Sequence, residues 1–92
     1  MATTLSYEII LCGHQWHHQE WDDPTNPYAV TVSPTRNTLL LGLWVVQYRN
    51  TPGVWFVVDG MQGDFGHEPV IAGPFGDMDT AAFAAITIGN HE

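Results

Sequence analysis

The sequence predicts an α+β fold, a small single domain in which one C-terminal helix packs on an antiparallel sheet of about four to five strands. Three observations support this prediction. Short runs of β-branched and aromatic residues fill most of the chain, a tight turn joins the two richest runs, and an alanine-rich segment follows them. At 92 residues the chain has the length of one domain with a single core, so residues 1–92 are assigned to it.

A central hairpin is predicted at residues 39–59. Residues 39–49 and 54–59 are rich in Leu, Val, Trp, Tyr and Phe, and apolar residues stand at both odd and even positions. Between them, Pro52 and Gly53 occupy the second and third positions of a four-residue turn, as a type II turn requires. Strands that are apolar on both faces are covered on both faces, so we expect this hairpin in the middle of the sheet.

The other predicted strands are shorter. Residues 7–11 and 28–32 are β-rich runs, and Pro34 ends the second of them or confines it to an edge. Residues 12–27 change to His, Gln, Trp and acidic residues and contain two prolines, which predicts a long loop. A last short strand is predicted at residues 70–72.

The helix is predicted at residues 78–87. Asp77 and Asp79 stand at its start and Gly89 at its end, and acidic residues and glycine are typical of those two positions. Helical spacing places four residues on the face that we expect to contact the hairpin: Met78, Ala82, Ala85 and Ile86.

Charge limits the classes of partner. The chain has no lysine, only Arg36 and Arg49, and ten acidic residues, for a formal net charge of −8. Direct binding of nucleic acid or of an anionic membrane needs several clustered cations, so neither is expected. A basic protein surface is the favoured partner, because opposite potentials steer association. The same charge is also consistent with a role in solubility alone.

The chain shows no sign of secretion or of a membrane span. The N-terminus has no basic region before a long apolar run, and the longest nearly apolar stretch, residues 39–46, is far below the roughly 18 residues of a membrane helix. The lone Cys12 cannot form an intramolecular disulfide, which suits a reducing compartment. We therefore predict a cytoplasmic protein, in the host cytoplasm if a phage encodes it.

A metal site is the main chemical alternative. Cys12, His14, His17 and His18 carry ligand types that zinc uses, within a few residues of one another. The cluster lacks the second ligand pair of structural zinc motifs, so metal binding is kept only as an alternative. No cofactor is predicted and the protein is not expected to be an enzyme, because the glycine-containing segment 59–66 has neither P-loop nor Rossmann spacing.

The predicted loop combines indoles with carboxylates. Trp16 and Trp21 stand among polar residues, and tryptophan is enriched in binding hot spots. Either both indoles bind a partner, or both fold back over the sheet; sugar binding is a minor third interpretation. The acidic residues beside them or elsewhere that could contact a basic partner are Glu20, Asp22, Asp23, Asp59, Asp64, Glu68, Asp77 and Asp79.

These observations favour a small acidic inhibitor that occupies a basic, nucleic-acid-binding surface of a larger protein. The most specific form of this hypothesis is a phage protein that inhibits a host defence system, as an anti-CRISPR or anti-restriction protein does. That form rests on size and charge alone. Two alternatives remain open: the metal-binding protein described above, and a homo-oligomeric structural module.

Overall fold

The computed structural model describes residues 5–35, 42–64 and 66–89. Within them the chain forms six strands followed by one helix. The elements are β1 (Leu5–Leu11), β2 (His14–Glu20), β3 (Tyr28–Pro34), β4 (Leu43–Tyr48), β5 (Trp55–Asp59), β6 (Val70–Phe75) and α1 (Met78–Gly89). An antiparallel sheet with one C-terminal helix is confirmed, but the sheet has six strands and not the predicted four to five.

The strands pair in chain order from β1 to β6, and every pair is antiparallel. The outer strands of the sheet are therefore β1 and β6. The helix contacts β4, β5 and β6, and it also contacts β1. Because both outer strands reach the same helix, the sheet curves around it, and the twist of β-sheets provides such curvature.

The additional strand is β2, which lies where the sequence predicted a loop. Burial alternates along it: Trp16 and His18 are buried, and their neighbours are half-buried or exposed. This period of two is the mark of a strand. Hydropathy concealed it, because one of the two buried positions is a histidine. Only residues 21–27 remain as an irregular connection to β3.

The predicted hairpin is confirmed as β4 and β5, and its residues 39–41 lie outside the described residues. The N–H of Val54 donates to the carbonyl of Thr51 at 3.2 Å. Gly53 has a φ of 83°, which the third position of a type II turn requires and which glycine adopts without strain. Val45 and Val46 are both fully buried on opposite faces, so the hairpin is covered on both sides.

The helix covers one face of the sheet. It is confirmed, and it extends two residues beyond the predicted end, to Gly89. The Asp77 carboxylate accepts a hydrogen bond from the N–H of Thr80 at 2.7 Å, which is the geometry of an N-cap. This bond lowers the pKa of Asp77. Among the described residues, no helix has the length and apolar character that crossing a bilayer requires.

The main core lies between this helix and the sheet. Alanines at the contact let the helix approach the strands closely, and valines and indoles from the sheet fill the space between them. The buried members of this helix-side core are Trp16, Val32, Leu43, Val45, Trp55, Val57, Ala81, Ala82 and Ala85.

A second, smaller cluster lies on the opposite face of the sheet. Its centre holds a buried hydrogen bond, in which the Tyr28 hydroxyl donates to the Glu68 carboxylate at 2.6 Å. The N–H of Gly66 donates to the same oxygen at 2.9 Å. Chain segments rather than a helix cover this face, and Gly66 lies so close to Pro27 that a Cβ there would be 2.8 Å from its ring. The members of this open-face cluster are Tyr28, Val46 and Val58, with Trp21, Trp44, Tyr48 and Phe56 packed against them.

Candidate functional site

A cleft of about 360 Å³ opens where β2 ends and β3 begins. The strand register places Leu5 of β1 opposite Glu20 of β2, and Glu20 opposite Val30 of β3. Trp21 continues this ladder, since its N–H donates to the Ala29 carbonyl at 2.8 Å. We name this site the acidic cleft, and its lining residues are Leu5, Glu20, Trp21, Asp22, Ala29 and Val30.

The lining combines an apolar floor with two carboxylates. Leu5 is 56% exposed, and Trp21, which lines the same cleft, is half-buried. Glu20 and Asp22 are exposed at the same place. Such a combination fits a lysine or arginine side chain, whose aliphatic stem packs on apolar surface while its cation binds carboxylate. An indole adds attraction for a cation held over its ring.

The indole of Trp21 is held in place from the open face of the sheet. Its Nε1–H donates to the Thr31 hydroxyl at 3.0 Å, and its ring packs against the open-face cluster. The indole is thus packed in the fold, and the residue also lines the cleft. A ring fixed in this way loses little conformational entropy when it is contacted by a partner.

The guanidinium of Arg49 donates hydrogen bonds to backbone carbonyls at the connection between β2 and β3. Nη2 donates to the carbonyls of Trp21 at 2.7 Å and Tyr28 at 3.1 Å, and Nε donates to that of Asn26 at 3.1 Å. Arg49 is the only Lys or Arg in the described part of the chain, and this guanidinium binds backbone oxygens there. The connection is therefore held by hydrogen bonds from this cation to backbone oxygens.

Asp23 has a local structural role. Its carboxylate accepts hydrogen bonds from the N–H of Thr25 at 2.9 Å and from the Thr25 hydroxyl at 2.8 Å. The backbone hydrogen bond is the main reason that the pKa of Asp23 is lowered, and the charge of Arg49 adds to it. Asp23 is exposed but does not line the acidic cleft.

Trp16 does not lie on the surface that the sequence predicted. It is 0% exposed, it belongs to the helix-side core, and its Nε1–H donates to the Leu11 carbonyl at 3.1 Å. The prediction that it contacts a partner is therefore corrected to a core position. The physical reason is strand alternation. Trp16 points toward the helix, whereas Trp21, an odd number of residues later, points to the opposite face of the sheet.

The remaining predicted acidic residues are distributed around the domain. Asp59 ends β5, at the strand end opposite to the acidic cleft, and Asp64 is exposed in the segment that follows. Asp77 and Asp79 stand at the start of the helix, where the Cys12 thiol lies 3.7 Å from the Asp79 carbonyl. Glu68 is 6% exposed, so its carboxylate serves the open-face cluster and not a contact surface.

The four candidate metal ligands are not brought together. Alternation along β2 directs His14 and His18 to the helix-side face and His17 to the other face. His17 contacts the Glu8 carboxylate at 2.9 Å, and Cys12 is exposed at the turn between β1 and β2. Within residues 5–35, 42–64 and 66–89, no three metal-ligating side chains form a cluster that could hold an ion.

His18 is instead a buried member of the sheet. Its ring stacks on Tyr7 with centroids 4.5 Å apart, and its Nδ1 has no hydrogen-bond partner among the described residues. Burial lowers the pKa of His18; Glu20 opposes this shift, and His17 adds to it. The neutral imidazole therefore fits this position better than the imidazolium.

Sequence reasoning missed the apolar floor of the cleft. Leu5, Ala29 and Val30 come from three strands and adjoin Glu20 only through the register of β1, β2 and β3. The signal that could have found them is the alternation in β2, which was concealed by its polar composition. Had β2 been predicted, an antiparallel pairing across a short turn at Gly13 would have placed Leu5 beside Glu20.

No family model, curated protein or solved structure matches this chain.

Proposed function

We propose that this protein is a small inhibitor that binds a basic, nucleic-acid-binding surface of a larger protein and anchors itself there through the acidic cleft. A lysine or arginine of the partner enters the cleft, with its stem on Trp21 and Leu5 and its cation on Glu20 and Asp22. The partner's basic side chains would otherwise bind phosphate, so the nucleic acid can no longer bind to the partner.

The observation that carries this proposal is the juxtaposition of apolar floor and exposed carboxylate in one cleft on a strongly anionic domain. Of the acidic side chains in the described residues, only Glu68 is buried. The one arginine among them is directed at backbone carbonyls. The surface therefore attracts a basic partner at long range, and the cleft then provides a specific contact for it.

The distribution of the carboxylates defines the kind of inhibition. Asp59 lies at the opposite strand end from the cleft, Asp64 lies in the segment that follows β5, and Asp77 and Asp79 lie at the helix start. The three groups do not line one strand end as the phosphates of a duplex groove would. We therefore propose inhibition by one anchored contact and a general negative field, and not by imitation of a duplex.

The test begins with capture and ends with displacement. Immobilised wild-type protein and a Glu20→Lys/Asp22→Lys variant are exposed in parallel to a bacterial lysate, and proteins retained only by the wild type are identified. A retained protein is then purified and loaded with fluorescently labelled nucleic acid. We expect the wild-type chain to displace that nucleic acid, and we expect the displacement to weaken as salt is raised from about 0.05 M to about 0.3 M.

The single variants Glu20→Lys and Asp64→Lys provide the matched comparison, because each makes one charge reversal at an exposed position and only Glu20 lies in the cleft. Asp64→Lys should retain the captured protein. The proposal fails if the retained proteins are not basic, if the purified partner keeps its nucleic acid in the presence of the chain, or if Asp64→Lys abolishes capture as fully as Glu20→Lys does.

A further inference from the structure

The outer edge of β1 carries backbone groups that pair with no other strand of the described residues, and their positions follow from the hydrogen bonds of β2. The Gln15 carbonyl accepts from the N–H of Thr35 at 3.2 Å, and the N–H of Trp21 donates to the Ala29 carbonyl at 2.8 Å. Odd-numbered residues of β2 thus direct their backbone groups to β3, and even-numbered residues direct theirs to β1. The register then leaves the N–H and C=O groups of Ser6, Glu8 and Ile10 pointing away from the sheet.

The other outer strand, β6, is poorly suited to further pairing. Pro74 lies within it and has no N–H to donate. The pairing of β5 with β6 also shifts register at two places, so the ladder on this side is irregular. In contrast, β1 has seven residues in unbroken register with β2 and contains neither proline nor lysine. Proline, lysine and irregular pairing are among the features by which natural sheets protect an edge, and β1 has none of these three.

The side chains of β1 are exposed in an alternating pattern. On the helix side, Leu5 and Tyr7 are 56% and 41% exposed, although both are apolar or aromatic. On the open side stand Ser6, Glu8 and Ile10, and Ile10 is 74% exposed. A strand added here would meet apolar neighbours at alternate positions. On the other side it would meet the Glu8 carboxylate, which also contacts His17 and accepts a hydrogen bond from Gln15.

We propose that β1 is a strand-addition edge: an extended segment of the basic partner pairs along β1 and delivers a lysine or arginine into the acidic cleft. This inference rests on the proposed function and names how the partner binds. The edge and the cleft are continuous, because Leu5 is both the first residue of β1 and part of the cleft lining. Backbone pairing supplies affinity in such complexes, and alternate side chains supply specificity.

Charge identifies the occupant as a basic segment and not a second copy of this chain. A second copy would bring another formal charge of −8 to a surface that already carries it. Symmetric pairing in the fullest overlap, centred on the middle of β1, would also place Glu8 opposite Glu8, and like charges directly opposite destabilise a pair. A segment with a basic residue facing Glu8, an apolar residue facing Tyr7 and a basic residue facing Leu5 meets both sides of the edge and reaches the cleft.

The probe is an end-blocked, fluorescent heptapeptide matched in length to β1, with the sequence Val-Lys-Val-Lys-Val-Lys-Lys, whose last lysine faces Leu5 in antiparallel pairing. Its affinity for the full chain is compared with that of the same peptide N-methylated at the alternate amides that would pair with β1. We expect the methylated peptide to bind at least about tenfold more weakly. Hydrogen exchange supplies a second readout, in which the amides of Ser6, Glu8 and Ile10 become protected when the unmodified peptide is added.

Two substitutions in the protein, rather than in the peptide, also test the edge of β1. Ile10→Pro removes one outward N–H, and Ile10→Thr changes the same side chain while keeping the backbone donor. The proline variant should bind the peptide at least about tenfold more weakly, whereas the threonine variant should stay within about twofold. The hydrogen-exchange readout on the wild type remains decisive if the proline variant does not fold.

Several outcomes would overturn the inference. Strand addition is excluded if the unmodified and the N-methylated peptides bind equally, or if the amides of Ser6, Glu8 and Ile10 are not protected. If peptide binding is then lost in Glu20→Gln, the proposed function still stands, because the cleft alone would bind the peptide. A wild-type dimer that becomes monomeric in Ile10→Pro would make a second copy the occupant. Equally tight pairing of a glutamate–valine peptide would contradict the basic partner, and with it the proposed function, while the edge itself would still accept strands.

Discussion

The two faces of the sheet are stabilised in different ways. The helix-side core is apolar, and its sheet residues pack against the alanines of α1. The open-face cluster is mostly aromatic, and it contains the buried hydrogen bond between Tyr28 and Glu68. A regular helix covers the first face, whereas residues near 21–27, 60–64 and 66–69 cover the second with turns and hydrogen bonds.

The acidic cleft draws on both faces. It opens where β2 ends, with Leu5, Glu20 and Val30 on the helix side and Trp21 on the open face. Comparing substitutions on the two faces therefore separates residues that only stabilise the fold from residues that also bind.

The largest expected effect is on the helix-side face. Trp16→Ala removes a fully buried indole and leaves a cavity, so we expect the free energy of unfolding to fall by about 3–5 kcal/mol. Urea denaturation of the variant and the wild type measures this. Because the indole is buried, any loss of partner binding should follow the loss of folded protein. A Trp16→Ala variant that stays as stable as the wild type would contradict its placement in the core.

A smaller effect is expected at the centre of the open face. Tyr28→Phe removes the donor of the 2.6 Å hydrogen bond to Glu68 and keeps the ring. We expect a loss of about 1.5–3 kcal/mol, the range for hydrogen bonds to charged groups. Glu68 keeps its bond from the N–H of Gly66, which limits the damage. The conservative variant Tyr48→Phe, made on a less buried ring of the same cluster, is the control and should cost less.

Trp21→Ala should separate stability from binding. The indole is half-buried and donates one hydrogen bond, so we expect a stability loss of only about 1–2 kcal/mol. In contrast, partner affinity should fall by about 2 kcal/mol or more, mainly through a faster off-rate. Melting temperature and dissociation rate are measured on the same samples. Normal binding by a folded Trp21→Ala variant would remove the indole from the binding account.

The smallest effect concerns pH. Burial holds the pKa of His18 below its usual 6.5, so the unfolded chain binds this proton more tightly than the folded one. The contribution of His18 to stability is therefore present above about pH 6.5 and is lost as the pH falls below it. Nearby Glu20 opposes the shift and His17 reinforces it.

Chemical denaturation of the wild type and of His18→Leu between about pH 7 and pH 5 measures this dependence. The slope of stability against pH should be flatter in the leucine variant. Identical slopes in the two proteins would show that His18 does not titrate differently on folding.

The hairpin and the helix could be predicted because local signals and tertiary packing agree there. Pro52 and Gly53 meet the requirements of one turn type, and both faces of the flanking strands are apolar. Asp77 and Gly89 mark the helix ends by their preferences for its two termini. The strand at residues 14–20 was not predicted, because a histidine occupies one of its buried positions. This histidine stacks on Tyr7, and no local signal of charge or hydropathy reveals that partner.

The site could be predicted only in part, for a related reason. Glu20, Trp21 and Asp22 are adjacent in sequence, so their combination of indole and carboxylate was visible. The rest of the cleft depends on pairing among β1, β2 and β3 and could not be found without the second strand. The burial of Trp16 likewise depends on its side of β2, which a loop does not define.

The most direct test of the central claim compares Glu20→Lys with Asp64→Lys in complexes of the purified partner. Both variants change the net charge equally, but only the first lies in the acidic cleft. We predict that Glu20→Lys weakens affinity at least about tenfold, while Asp64→Lys slows association slightly and leaves the off-rate unchanged. Equal losses of affinity in the two variants would contradict the account, because net charge alone would then explain binding.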